Sequence, residues 1–338
     1  MASISVLAII QFVFLNHMPG WETSIHGMSS QRMINFRLIG DGSYAVAEYY
    51  AVESPTQDKI DFSLSILDVE RGQKYFEVKE PGLTSARVSP DLQLLALGYR
   101  DGTVKIRKLD GSANDLNLSH SSLGRSVRDV HWSPDSTRLL LAYDTTNDIV
   151  DLSGVVLSTI STMSIAPIVC PEDSNYFCLA NQGYYRLYEW QTGREVAELP
   201  IEASVRSLTF SSNLRYCACL RGCDLMVFDL VAWKSTWSQP IKSPWSTKTA
   251  IAFSPDERSI AIVKHDETLT HRILVFDIET ECELSSYEVQ MDYIAGIVFC
   301  SERLWAWTTS GKVSHLMMKQ SEVDSKFTVL LENVTAFQ

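Results

Sequence analysis

The sequence has no lysine or arginine before Arg32. A secretory leader needs a basic start and a small-residue cleavage site, and Asn16-His17-Met18-Pro19-Gly20 supplies neither, so no leader is expected. Spanning a bilayer takes about 20 consecutive apolar residues, and no run reaches that length. The longest, Ile4 to Leu15, is rich in Ile, Val and Phe and reads as a buried strand. Basic charge is scarce. There are 29 Lys and Arg against 41 Asp and Glu, a formal net charge of −12. A phosphate backbone is bound through Lys and Arg that release counterions, so nucleic acid is not an expected partner. The 7 Cys are few, scattered and odd in number, which excludes a disulfide scaffold and fits a reducing compartment, cytoplasmic or nuclear rather than secreted. Catalytic signatures are missing too. No Walker A, H-E-x-x-H, G-x-G-x-x-G or G-x-S-x-G motif occurs, and the turns lack the Gly-x-Thr-Trp half of a sialidase Asp box. No cofactor or metal is implied.

What the chain does have is a repeat. An apolar run ends in a small-Pro-acid turn, and a second apolar run follows. The clear copies are Val88-Ser89-Pro90-Asp91, Trp132-Ser133-Pro134-Asp135 and Phe253-Ser254-Pro255-Asp256. Degenerate copies are Val169-Cys170-Pro171-Glu172, Phe210-Ser211-Ser212-Asn213 and Phe299-Cys300-Ser301-Glu302, with a weak first copy at Ile39-Gly40-Asp41-Gly42. From position 90 the spacings are 44, 37, 41, 43 and 46 residues. A second, alternating element follows each turn and often ends in an acid: Leu67-Asp68, Val150-Asp151, Phe228-Asp229, Phe276-Asp277. Period-two alternation reads as a strand with one buried face. Four strands per unit at this period predict an all-β fold, a seven-bladed β-propeller of four-stranded antiparallel blades. Residues 31–338 form the ring. Residues 1–30 are the N-terminal apolar segment, expected to supply a closing strand beside the last blade.

At this level the sequence resembles the WD40 repeat family. The best match is Asp101-Gly102-Thr103-Val104-Lys105-Ile106-Arg107-Lys108 against D-G-T-V-K-I-W-D. The resemblance covers about residues 31 to 320. No unit carries a literal Trp-Asp pair and no Gly-His dipeptide occurs, so the family's buried Asp-His-Ser/Thr-Trp network is not expected to be complete. The resemblance implies a non-enzymatic scaffold for protein or peptide partners. The acidic balance favours partners with basic segments, with no membrane involved. Two other readings compete: a regulatory or sensing module of a larger multidomain protein, and a propeller enzyme with a site in its central channel.

Several residues invite a functional reading. Cys217, Cys219 and Cys223 are the densest thiols, and a buried structural role outranks a zinc site, because His is absent nearby. His131 precedes Trp132 in a strand and reads as a satisfied inter-blade histidine. The acids of the Ser-Pro-acid turns, Asp91, Asp135 and Asp256, read as turn-stabilising rather than catalytic. The segment from Trp233 to Trp245 holds three Trp, two Pro and two Lys. Its bland reading is an outer strand. Its functional reading is a peptide-binding patch of Trp233, Trp237 and Trp245, since Trp is enriched among interface hot spots. The loops around Lys59 and Arg272 should emerge on the same face of the ring as Trp245.

Overall fold

The computed structural model describes residues 31–332 apart from short internal stretches, chiefly 53–59, 119–123, 163–167, 170–173, 242–249, 266–270, 290–293 and 321–326. The apolar run at 4–15, expected to close the ring, lies outside the described residues. So do Lys59 and Trp245.

The strands fall into four-stranded antiparallel sheets, each made from one continuous stretch of chain. One sheet is β1 (Gln31–Ile39), β2 (Tyr44–Val52), β3 (Ile60–Asp68) and β4 (Gln73–Lys79). Next come β5 (Leu83–Val88), β6 (Leu94–Tyr99), β7 (Val104–Lys108) and β8 (Leu116–Asn117). Then β9 (Asp129–Trp132), β10 (Arg138–Ala142), β11 (Thr146–Asp151) and β12 (Val156–Ser161) pair in order. They are followed by β13 (Ile168–Val169), β14 (Tyr176–Asn181), β15 (Tyr184–Glu189) and β16 (Glu195–Glu202). Further along lie β17 (Leu208–Phe210), β18 (Tyr216–Arg221), β19 (Asp224–Asp229) and β20 (Lys234–Pro240). The next sheet is β21 (Ile251–Phe253), β22 (Ser259–His265), β23 (His271–Asp277) and β24 (Glu283–Val289). The chain finishes with β25 (Ile294–Cys300), β26 (Arg303–Thr308), β27 (Val313–Gln320) and β28 (Phe327–Glu332).

These sheets are the blades of a β-propeller. First strands of neighbouring sheets lie against one another, as in β5 with β9, β17 with β21 and β21 with β25. β1 meets β25, so the first and last described sheets are neighbours. Strands that approach across sheets in this way are the inner ones, bordering the axis. Second strands are covered by a neighbouring blade on each side, which is why β6, β10 and β18 are apolar almost throughout instead of alternating. An apolar core fills each seam. Leu97 of β6 packs with Leu64 of β3, Leu141 of β10 with Ile106 of β7, and Phe177 of β14 with Ile149 of β11. Cys219 of β18 packs with Leu187 of β15, Ile262 of β22 with Val227 of β19, and Leu304 of β26 with Val275 of β23. The ring is closed by Phe36 of β1 against Trp305 and Trp307 of β26.

The Ser-Pro-acid turns join first to second strands by one recurring device. Ser133 Oγ donates to Asp135 Oδ1 at 2.6 Å and accepts from Arg138 N at 2.9 Å. Ser254 and Asp256 repeat this at 2.6 Å, with Ser259 N donating to Ser254 Oγ at 2.9 Å. Ser89 and Asp91 do so at 2.5 Å, with Leu94 N donating to Ser89 Oγ at 2.9 Å. The acids therefore hold the turns, as expected. Ser136 Oγ then reaches the preceding blade and accepts from Asp91 N at 3.2 Å, and Glu257 accepts from Asn213 N at 2.8 Å. The third-strand acids of the WD-like pairs cap the next turn: Asp229 Oδ1 accepts from the amides of Val231 and Ala232, both at 2.8 Å. Among the described residues no helix is long and apolar enough to cross a membrane.

Candidate functional site

The inner strands bring together a charged cluster drawn from three blades. Arg87 of β5 donates from Nη1 to Glu48 Oε1 of β2 at 2.5 Å. Its Nη2 lies 3.4 Å from Asp129 Oδ1 of β9. Ser85 Oγ, two residues before Arg87 on the same strand face, donates to Asp129 Oδ1 at 2.7 Å. His131 Nε2 is 3.1 Å from Asp129 Oδ2. Trp132 Nε1 donates back to the Arg87 carbonyl at 2.8 Å. Glu48 is buried, whereas the Asp129 side chain keeps 34% of its surface exposed.

Burial alone would raise the Asp129 carboxyl. Arg87, His131 and the Ser85 hydroxyl outweigh it and hold the group well below the usual carboxylate range. Tyr50 is pushed up by burial, then by the negative charge of Asp129 and Glu48, with Arg87 opposing. The cluster thus balances two carboxylates against one guanidinium and an imidazole, and both Asp129 oxygens are engaged. His131 is a satisfied histidine, as the sequence suggested, and the partner seen here is a carboxylate two residues earlier on the same strand.

Elsewhere the chemistry is quiet. Cys178, Cys217 and Cys219 share one apolar seam. Burial pushes Cys219 up to about 12 and Cys217 well above the usual thiol range, so they are packed as thiols at neutral pH. Cys223 is exposed, away from them across the hairpin. Among the described residues no group of three or more His, Cys, Asp or Glu is placed to hold a metal ion. Where the WD40 pattern has Trp, Arg107 makes a bidentate pair with Asp115 at 2.8 and 2.6 Å and reaches Glu80 at 2.7 Å.

Of the proposed partner-binding residues, Trp233, Trp237 and Arg272 are described, and these three do not form one patch. Trp237 is a correction: it is buried between β20 and the next blade, 5.6 Å from the Phe276 ring, and offers nothing to a partner. Trp233 is 48% exposed, in the turn between β19 and β20. Arg272 is exposed at the start of β23, its Nη2 4.0 Å from Glu288. Because the strands run antiparallel, the β22–β23 connection beside Arg272 and the β19–β20 turn emerge at opposite ends of the blades. Trp233 and Arg272 therefore belong to different faces.

Sequence reasoning missed the apolar rim. Outer strands carry a bulge at a constant place, opposite Ile66/Leu67, Ile149/Val150, Leu187/Tyr188, Val227/Phe228 and Val275/Phe276. The extra residues are Tyr75, Leu157, Val196, Thr236 and Leu284, and the first three are well exposed. No single strand carries a signal for these bulges, because each arises from the pairing of the fourth strand with the third.

No family model matches the chain, and neither does any curated protein. Solved structures do. The chain is similar to Kluyveromyces lactis Hsv2 at a TM-score of 0.68 and 12% identity, covering 90% of this chain and 98% of that one. It is also similar to Kuenenia stuttgartiensis hydrazine synthase at a TM-score of 0.62 and 14% identity, covering 90% of this chain and 100% of that one. Identities this low establish the β-propeller fold alone.

Proposed function

We propose that the chain is a seven-bladed, WD40-like ring that acts as a non-enzymatic platform for protein or peptide partners in the cytoplasm. The observation that carries this reading is the inner cluster, where Arg87, Glu48, Asp129 and His131 answer one another across blades. Charges arranged in this way hold a ring in shape. A stiff ring loses little conformational entropy when its loops engage a ligand. Affinity capture with the full chain, followed by binding measurements with each purified partner, tests the reading. Direct binding to one or more proteins is expected. Failure of every captured protein to bind directly would remove the platform role.

A second reading is favoured by one feature. Asp129 borders the axis, reaches solvent, and has Ser85 and His131 within hydrogen-bond distance. In a propeller enzyme that group would face substrate in the central channel. Turnover that depends on added divalent metal and disappears in Asp129→Asn, assayed well below the melting temperature of that variant, would establish this reading in place of the first.

A further inference from the structure

In several blades the third and fourth strands are joined by a turn with one residue in the left-handed region. Glycine takes this place in three blades: Gly111 (φ 69°), Gly154 (φ 88°) and Gly193 (φ 65°). In the β21–β24 blade the residue is Glu281, at φ 62°, and in the β17–β20 blade it is Trp233, at φ 55°. A bulky side chain there is a backbone outlier, because its Cβ crowds the following carbonyl. Nothing in the turn recovers that cost by burial. Trp233 stays 48% exposed, and its neighbour Val231, at the tip, is 81% exposed.

Two exposed cations flank the tip. Lys234 follows in sequence and is exposed. Arg215 is exposed beside the start of the turn, where its carbonyl accepts from Leu230 N at 2.8 Å, and its guanidinium lies over the Tyr216 ring. Neither cation takes an ion pair among the described residues. Two carboxylates lie nearby, and both accept backbone amides: Asp229 those of the turn itself, and Glu257 of the next blade that of Asn213. An apolar turn flanked by two exposed cations, on a chain of net charge −12, is a distinct surface.

Resting on the platform reading above, we infer that the Val231–Trp233 turn is an anchor that inserts into an apolar pocket of a partner protein, and that carboxylates rim that pocket to meet Lys234 and Arg215. Burying an exposed indole supplies apolar area and leaves its N–H to a partner acceptor. Aromatic anchors flanked by cations are typical of binding hot spots. An anionic bilayer is the poorer fit, since the remainder of the chain is acidic and would be repelled.

The test uses the full chain with a benzophenone amino acid in place of Val231, and a second probe in place of Leu116, an exposed residue of a different blade. Adducts from position 231 should map to apolar residues neighbouring Asp or Glu in the partner. With that partner purified, Trp233→Gly should weaken binding at least tenfold while melting no lower than wild type, because glycine relieves the left-handed strain. Trp233→Phe should bind within a few-fold of wild type, and Lys234→Glu should weaken binding and flatten its salt dependence. An unchanged dissociation constant for Trp233→Gly overturns the inference, as do adducts beside basic residues. Adducts from position 116 alone overturn it too, yet leave the platform standing. No adduct from either position, with no direct binder found by capture, overturns both. Sedimentation with phosphatidylserine vesicles that is lost in Trp233→Gly would make the ligand a membrane and overturn the protein pocket.

Discussion

A Cβ placed on Gly296 would overlap the ring of Trp307. The indole cannot retreat, because its other side packs against Phe36 at 5.7 Å, where the ring of blades closes. Gly296→Ala should therefore destabilise the protein by about 1–3 kcal/mol, read as a lower denaturation midpoint at constant slope. An unchanged midpoint would mean that the closing seam is looser than its geometry. Asp129 carries a different prediction. Its folded pKa is depressed by Arg87, His131 and Ser85, so its contribution is complete above the ordinary carboxylate range near 4 and is lost as pH falls toward the folded value. The melting temperature of wild type should exceed that of Asp129→Asn at neutral pH, and the gap should shrink below about pH 4. A gap that is constant with pH would show that the charge is irrelevant. Of this cluster only His131 was legible in the sequence. Glu48 and Arg87 are 39 residues apart, and Ser85 and Asp129 are 44 apart, so no local pattern joins them.

At the scale of the element, the turns were the most legible feature, because their bonds run between residues two to five apart. Asp135→Ala removes the acceptor for Ser133, Thr137 N and the Thr137 hydroxyl, and should cost on the order of 1 kcal/mol. Its unfolding midpoint checks this, and binding of any partner should be untouched. The outer strands were the least legible. In a regular strand Trp233, Ser235 and Trp237 would share a face. The bulge at Thr236 sets Val227 opposite Trp237 and Phe228 opposite Ser235, which reverses the alternation. Trp237 turns into the core while Trp233 stays outside. A period-two reading of one strand has no access to that shift, because it arises from the pairing with β19. The short strands β8 and β13, of two residues each, likewise left no pattern to read.

For the whole molecule, every described blade shares an apolar seam with its neighbours, and β1 meets β25. Heat should therefore melt the protein in one transition. Leu97→Ala and Val275→Ala, in seams far apart in sequence, should lower that same transition, each by about 2–5 kcal/mol for a fully buried side chain of leucine size and less for valine. Calorimetry resolving two separate transitions would count against a closed ring. The similarity to propellers at 12–14% identity follows from the same arrangement, since strand order and seam packing can be met by many side chains. The bulged outer strands have one more consequence. Among the described residues each blade ends in a strand paired on one side only, whose free amides and carbonyls would accept a foreign strand, and a kinked edge is a poor template for one. Deleting Leu157 would straighten β12 opposite Ile149 and Val150. A variant lacking that single residue should remain a ring yet seed lateral growth into fibrils at high concentration, so what looks like an irregularity at the rim works as protection against amyloid-like polymerisation.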